Sequence, residues 1–467
     1  MHLLIGHKSC QRISLILGLL LSVGPMAGFA AQTRRIKPPD EHQVFTCKRL
    51  INPQTGAIIE DAAIEVNGGR VLRVGKRSEI GLPEGAKLVD YGDKYVIPGL
   101  IDTHGHLYGG VTYRQTTHPA IPNFYLAAGV TSIGAPGSMD PGGDLAMRNR
   151  INSGLWAGPR YYLAGEYLEM APVTVGWMNP LSTPEEARLK VDRWAAEGGT
   201  MIKIYAQMHG DVLKAAIDEA HEHGMRVVAH IGAVTYKEAI EMGVDELFHG
   251  VLAMSDTRPK GVDQRDFDKW GQETAELNLN DPEIQIVFKM AAESRVVLCP
   301  TAVVMEPLDD AKDHLDEQRK YYTPEAWQGL HDISKKFERP FSNATMEKQK
   351  QFIKMASDAH CLLSTGTDLV IFFMLPGYSL WREMDIFAEA GLTPIQILRA
   401  ATINGAYALG RTDQLGTVEP GKLADFVVLD ADPTIDIHNV RKVSRVVKGG
   451  TVYDPEQLRK PWVGRIF

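Results

Sequence analysis

The sequence predicts an α/β fold: a (β/α)8 TIM barrel with a small composite β-sandwich built from both chain ends. Three observations carry that expectation. Eight short apolar runs alternate with amphipathic segments through the middle of the chain. Glycine-punctuated, β-rich segments flank that middle on both sides. Ionisable residues gather where the apolar runs end, the edge at which barrels of this kind carry their sites. The boundaries read as 1–30 for a signal peptide, 31–96 and 411–467 for the two sandwich parts, and 97–410 for the barrel.

The N-terminal stretch "MHLLIGHKSCQR" carries Lys8 and Arg12, and the apolar run "ISLILGLLLSV" and the small residues of "PMAGFAAQ" follow it. That order is a secretory signal with cleavage expected after Ala30. The mature protein is therefore expected to be exported, periplasmic or extracellular, with no membrane contact after cleavage. Removing residues 1–30 takes away Lys8, Arg12 and no acid, so the net charge moves from −8 to −10. Such a balance, in a chain with 44% hydrophobic and 23% charged residues, argues against a nucleic-acid surface. Cys10 leaves with the signal, and Cys47, Cys299 and Cys361 are odd in number and far apart, so no disulfide framework is expected.

Next, "AAIEVNGGRVLRVGK" reads as a hairpin turning at Asn67-Gly68-Gly69. "GKLADFVVLDADP" and "VSRVVKGGTVYD" repeat that character near the other end and are expected to pair with it. The eight barrel strands read as "VIPGLIDT", "VTSIGA", "RYYLAG", "MIKIYA", "RVVAHI", "ELFHG", "RVVLCPT" and "CLLSTGTD". In "STPEEARLKVDRWAAEGG" Thr183 caps a helix, Pro184 takes its first position and Glu186 closes a capping box. "GDVLKAAIDEAHEHG" and "TYKEAIEMG" are further helices stopped by glycine. Strand, helix, strand in short order means parallel strands with right-handed crossovers. Two longer connections, after His249 and after "LCPTAVV", are expected at the barrel mouth.

The strand ends bring the chemistry. His104 and His106 close the first strand, His230 the fifth, His249 the sixth and Asp368 the eighth. Lys203 lies within the fourth, and alternation puts it on one face with Tyr205. Neutral imidazole and carboxylate are good ligands for zinc and similar ions. A buried ammonium beside such ions is costly. A lysine amine that has captured CO2 is instead an anionic carbamate, able to bridge two metals. Six ligands exceed what one tetrahedral ion uses, so two divalent ions, with zinc expected, are the cofactors. No nucleophile elbow, phosphate loop or dinucleotide fingerprint competes with this reading. The histidines of "HEHG", His221 and His223, read as solvated helix residues.

The segments "PGLIDTHGH", "GTDL", "AGLTPIQILRAATINGAYALG", "GTVEPGKLADFVVLD" and "KGGTVYD" resemble the amidohydrolase superfamily, in its imidazolonepropionase-like and Xaa-Pro dipeptidase-like branch. The resemblance covers nearly all of the mature chain. It implies that His104, His106 and Asp368 bind a more buried metal, that His230 and His249 bind a second, and that Lys203 bridges. It also implies a metal-bridged hydroxide as nucleophile, with Asp368 as the catalytic proton carrier. Three positions depart from the branch: Gly232 where many relatives have histidine, Phe248 where glutamate is common, and Trp381-Arg382-Glu383-Met384 in place of His-Arg-Glu-Leu.

The expected reaction is hydrolysis of an amide bond in a small dipeptide or N-acyl amino acid. The alternatives are a same-fold hydrolase of a lactone, cyclic imide or exocyclic amine, and a silent binding protein. Tyr205 and His118 are candidate substrate contacts, and Trp177, Tyr205, Trp270 and Phe373 candidate pocket walls. Homo-oligomerisation is left open.

Overall fold

The computed structural model describes residues 41–106, 119–174, 178–257, 267–306, 317–336, 341–368 and 375–466. His118, Trp177 and Phe373 lie outside these residues, as do residues 1–30 of the expected export signal. The strands before the barrel are β1 (Gln43–Ile51), β2 (Ile58–Asn67), β3 (Arg70–Lys76), β4 (Lys87–Asp90) and β5 (Tyr95–Pro98). Then come β6 (Leu100–Asp102), β7 (Val130–Ala135), β8 (Arg160–Leu163), β9 (Tyr167–Leu168) and β10 (Met201–Ile204). β11 (Arg226–Ala229), β12 (Glu246–Phe248), β13 (Val297–Cys299) and β14 (Leu362–Leu363) follow. β15 (Phe426–Leu429), β16 (Val443–Lys448) and β17 (Thr451–Tyr453) end the series.

The two chain ends do pair. β5 runs antiparallel to β15, with Val96 opposite Val428 and Ile97 opposite Val427. The resulting order is β17-β16-β15-β5-β1-β2-β3, with β4 alongside β1. This is one continuous eight-stranded sheet rather than two hydrogen-bonded ones, because the β5–β15 ladder merges the N- and C-terminal halves. β5 also straddles the boundary expected at residue 96, so the end sheet extends to Pro98. Gly68 and Gly69, with φ of 56° and 76°, make the two-residue turn between β2 and β3. Two successive positive φ angles suit glycine and match the twist of a hairpin. Phe45, Ile64, Val96, Phe426 and Val447 form the core of this sheet.

All eight expected barrel strands are present, as β6, β7, β8, β10, β11, β12, β13 and β14. β6-β7-β8 form one parallel sheet and β9 to β14 another. Hydrogen bonds span both gaps. Thr200 N donates to Leu163 O (3.0 Å) beyond β8, and Thr103 N donates to Thr365 O (2.9 Å) between β6 and β14. The third strand is broken, and β9 continues it beyond Gly165. There φ is 70°, and a Cβ would fall 2.5 Å from the Trp194 indole. Glycine lets Trp194 pack on the backbone, which is why one apolar run yields two short strands.

The helix Pro184–Ala196 begins as expected, with Thr183 Oγ1 accepting from Glu186 N at 3.2 Å. The Glu186 carboxylate reaches Ser182 N (2.8 Å) instead of closing the box on Thr183. Cys47, Cys299 and Cys361 are buried free thiols. Among the described residues, no helix is long and apolar enough to cross a membrane.

The end sheet is tied to the parallel strands by a charge pair. Arg160, at the start of β8, donates twice to Asp425 at 3.0 Å, and Gly449 N donates to the same carboxylate at 2.7 Å. Asp425 is 4% exposed and Arg160 25%. Asp425→Ala strands a guanidinium and an N–H group. It should lower stability by about 3 kcal/mol, the low end for a broken buried pair because Arg160 keeps some water. Urea unfolding of the two proteins measures this.

Candidate metal centre

β6 delivers His104 and His106, and the eighth strand returns beside it with Asp368. His104 Nε2 is 3.3 Å and His106 Nε2 3.2 Å from Asp368 Oδ1. The donor atoms of these three residues all lie within 4.8 Å of one another. Asp102 holds the arrangement from below. Its Oδ1 accepts from His104 N and Thr367 N, each at 3.1 Å, and its Oδ2 accepts from Thr367 Oγ1 at 2.8 Å. The close passage requires glycine at 366, where a Cβ would meet Cys299 Sγ at 2.4 Å and His104 Cβ at 2.7 Å.

His230 and His249 stand on the neighbouring tips with ring centroids 4.3 Å apart, and His104 and His249 are 5.1 Å apart. His249 Nδ1 is hydrogen-bonded to Thr301 Oγ1 (2.8 Å) and lies 3.9 Å from Asp368 Oδ2. Tyr205 packs edge-on against His230 at 4.9 Å. Lys203 is 1% exposed, and its Nζ sits 4.1 Å from the Phe248 ring centroid. The six expected residues thus share one end of the strand series. The tightest group is His104, His106 and Asp368. His249, Thr301 and Asp368 have φ of 74°, 46° and 43°. Left-handed backbone at non-glycine residues costs about 1–3 kcal/mol each and gathers at functional sites.

Burial governs the protonation states. It drives His104 well below the usual histidine range, against the opposing pull of Asp368. Burial likewise lowers His249 to about 3 and Lys203 to about 7. For Asp368 burial acts upward, but facing His104, His106 and His249 it is held well below the usual carboxylate range. At neutral pH His104 and His249 are therefore neutral imidazoles facing an ionised Asp368.

Those donors fit a divalent ion. Ligand atoms about 2.0–2.1 Å from a tetrahedral ion lie roughly 3.3 Å apart, the spacing found from Asp368 to both histidines. His104 Nδ1 is buried without a hydrogen-bond partner, so desolvation of this ring is not repaid within the protein. A second group, Asp192, Glu219 and His223, is a surface network: His223 pairs with Asp192 at 2.7 Å, and His221 pairs with Asp245 at 3.1 Å. Both histidines of "HEHG" are exposed there, as expected.

The model of the Amidohydrolase family matches residues 95–453. The chain belongs to the amidohydrolase family. It is a hydrolase acting on carbon–nitrogen bonds, of a family that typically binds divalent metal and acts on small molecules. An imidazolonepropionase of Porphyromonas gingivalis is 24% identical over 434 residues, covering 88% of this chain and 95% of that one. One from Geobacillus kaustophilus is 42% identical over 106 residues, only 21% of this chain and 25% of its own length. The structure of a Xaa-Pro dipeptidase with bound methionine superposes with a TM-score of 0.66, covering 89% of this chain and 100% of that one at 21% identity. The fold is thus an α/β fold containing a TIM barrel.

Two supporting residues escaped the sequence reading. Asp102 carried a signal, a carboxylate two residues before the first histidine. Thr301 carried none, since nothing local says that "CPTAVV" turns its hydroxyl towards His249. At the departures, Phe248 is fully buried against His104 (centroids 4.0 Å apart), and Trp381 Nε1 donates to Ala128 O at 3.1 Å. Both substitutions are absorbed by packing. Asp102→Asn keeps the shape but turns an amide donor towards one of the three N–H and O–H donors. Its retention of metal should fall roughly 10–100-fold, the usual cost of losing an outer partner, measured by chelator competition.

Proposed function

We propose that this protein is an exported, binuclear metal hydrolase that cleaves the amide bond of a small dipeptide or N-acyl amino acid. The observation that carries the reading is the convergence of His104, His106 and Asp368 on one point, with His230, His249 and buried Lys203 beside it. In this reading His104, His106 and Asp368 would hold the more buried of two zinc ions and His230 and His249 the other. Lys203, as a carbamate, would add an anionic oxygen donor. Bound there, the ions would supply a water acidified to about pKa 7 and an electrophile for the scissile carbonyl.

The chain's own residues do the rest. Asp368, held ionised by its neighbours, takes the proton of the attacking water and passes it to the departing amine nitrogen. The His104 and His249 imidazoles are neutral at neutral pH and act as fixed electron-pair donors. Tyr205, packed on His230 and on Tyr167 (centroids 5.2 Å apart), forms an apolar wall on one side of the substrate. His118, Trp177 and Phe373 are assigned to the same mouth from the sequence alone, as is Trp270 on the helix Phe267–Glu276. Opening of a cyclic imide or related ring is the second reading, favoured by the full-length relative being an imidazolonepropionase.

The zinc-loaded protein, run against dipeptides, N-acyl amino acids, lactones, cyclic imides and aminopyrimidines, should turn over amides with a bulky apolar side chain. Turnover of rings or exocyclic amines without any amide would move the assignment to the second reading. On the best substrate, Asp368→Asn should lose about 10²–10⁴-fold in kcat, the range for a general acid–base group, with little change in KM.

Export rests on "ISLILGLLLSV" and its flanks. Intact mass of protein recovered from its own host should place the mature start near Ala31. A start at Met1 overturns cleavage.

A further inference from the structure

Two side chains with no part in the proposed chemistry reach the site's backbone from the helices behind it. Gln349, on the helix Asn343–Asp358, is fully buried. Its carboxamide oxygen accepts from Val251 N at 3.0 Å, and its nitrogen donates to Pro300 O (2.6 Å) and His249 O (3.3 Å). Glu383, on the helix Tyr378–Glu389, is equally buried and accepts from Ala302 N (3.0 Å) and Val303 N (2.7 Å).

These contacts enclose two strained turns. His249 and Thr301 both occupy left-handed backbone, with φ of 74° and 46°, and their side chains are bonded to each other at 2.8 Å. Non-glycine residues stay in that region only where their surroundings over-determine them. The space is also fitted to the amide, since a Cβ at Gly250 would lie 2.6 Å from Gln349 Oε1. One acceptor and two donors on Gln349 meet one N–H and two carbonyls, so both polar atoms of its side chain are used.

We infer that Gln349 is a positioning residue for His249: its hydrogen bonds to Val251, Pro300 and His249 hold the strained turn from which His249 offers a ring nitrogen to an ion. Glu383 holds the adjoining turn that carries Thr301. The inference rests on the assignment of His249 as a ligand of the second metal.

The test loads the full chain with cobalt(II) and reads two things: dissociation constants by chelator competition, and the visible absorption of the bound ion. Wild type should hold two equivalents. Gln349→Met, which keeps the side chain's bulk without its hydrogen bonds, should weaken one equivalent about 10–100-fold and shift its bands, leaving the other as in wild type. His249→Ala should affect the same equivalent. Thr345→Val is the structural control. It removes a buried contact from the same helix to Gly271 O (3.4 Å), so it should melt lower yet bind both ions normally.

Wild-type constants and spectrum in Gln349→Met overturn the inference. A single equivalent in wild type, or unaltered binding in His249→Ala, overturns instead the metal assignment beneath it. If Gln349→Met does not fold, Gln349→Glu retains the acceptor for Val251 and loses the amide donors, and the same outcomes decide.

Discussion

Asp102 takes hydrogen bonds from two parts of the chain, the farther lying 265 residues from it. One is the turn that starts His104 and His106, and the other is Thr367, the residue before Asp368. Beside it, Thr103 N donates to Thr365 O, and Thr365 Oγ1 donates to Ile101 O. The bonds that join the first barrel strand to the last are therefore the bonds that set two histidines against one carboxylate. Burial pushes the Asp102 carboxyl up to about 6, and its three donors work in the opposite direction. A carboxylate so enclosed is tolerable because every donor it needs is fixed around it.

The electrostatic character of the site follows from the same enclosure. His104, His249 and the Lys203 amine, buried together, cannot all be cations. Desolvation resolves the conflict by removing protons, and the residues that lose them become electron-pair donors. Asp368 remains charged because the rings facing it favour its ionised form. Fold and ligand chemistry are one constraint here: the packing that excludes water also makes the donors available.

Much of this was legible in the sequence because it is local. The eight apolar runs, the Gly68-Gly69 turn and the capped helix at Thr183 each announce themselves within a few residues, and each appears where expected. The candidate donors were readable because all but Lys203 end those runs. What escaped is non-local. Gly165 breaks the third strand only because Trp194, from a later helix, packs on it. Gln349 and Glu383 look like ordinary polar helix residues until the fold turns them inward. The positive φ of His249 has no signature in "ELFHG", since it is imposed by Thr301 and Gln349 from elsewhere. The sandwich expected from two β segments is one sheet because β5 and β15 pair directly, a register that composition does not encode.

The departures from the family's pattern bear on Lys203. Phe248 stands where glutamate is common in the branch, and its ring packs against both His104 and the Lys203 amine. A glutamate there would offer the amine a counter-charge and favour the ammonium. A phenyl face gives only a weak cation–π attraction and takes no proton. Glu246, also fully buried, is pushed up to about 7, so it is a poor counter-ion near neutral pH. Burial brings Lys203 down to about 7, against the upward pull of Asp368 and Glu246, and leaves a substantial neutral fraction. A neutral amine is the form that can take up CO2. Gly232 and the residues around Trp381 contribute no donor to the close-set group of His104, His106 and Asp368. The close-set donors are thus all present where neighbouring positions depart from the branch.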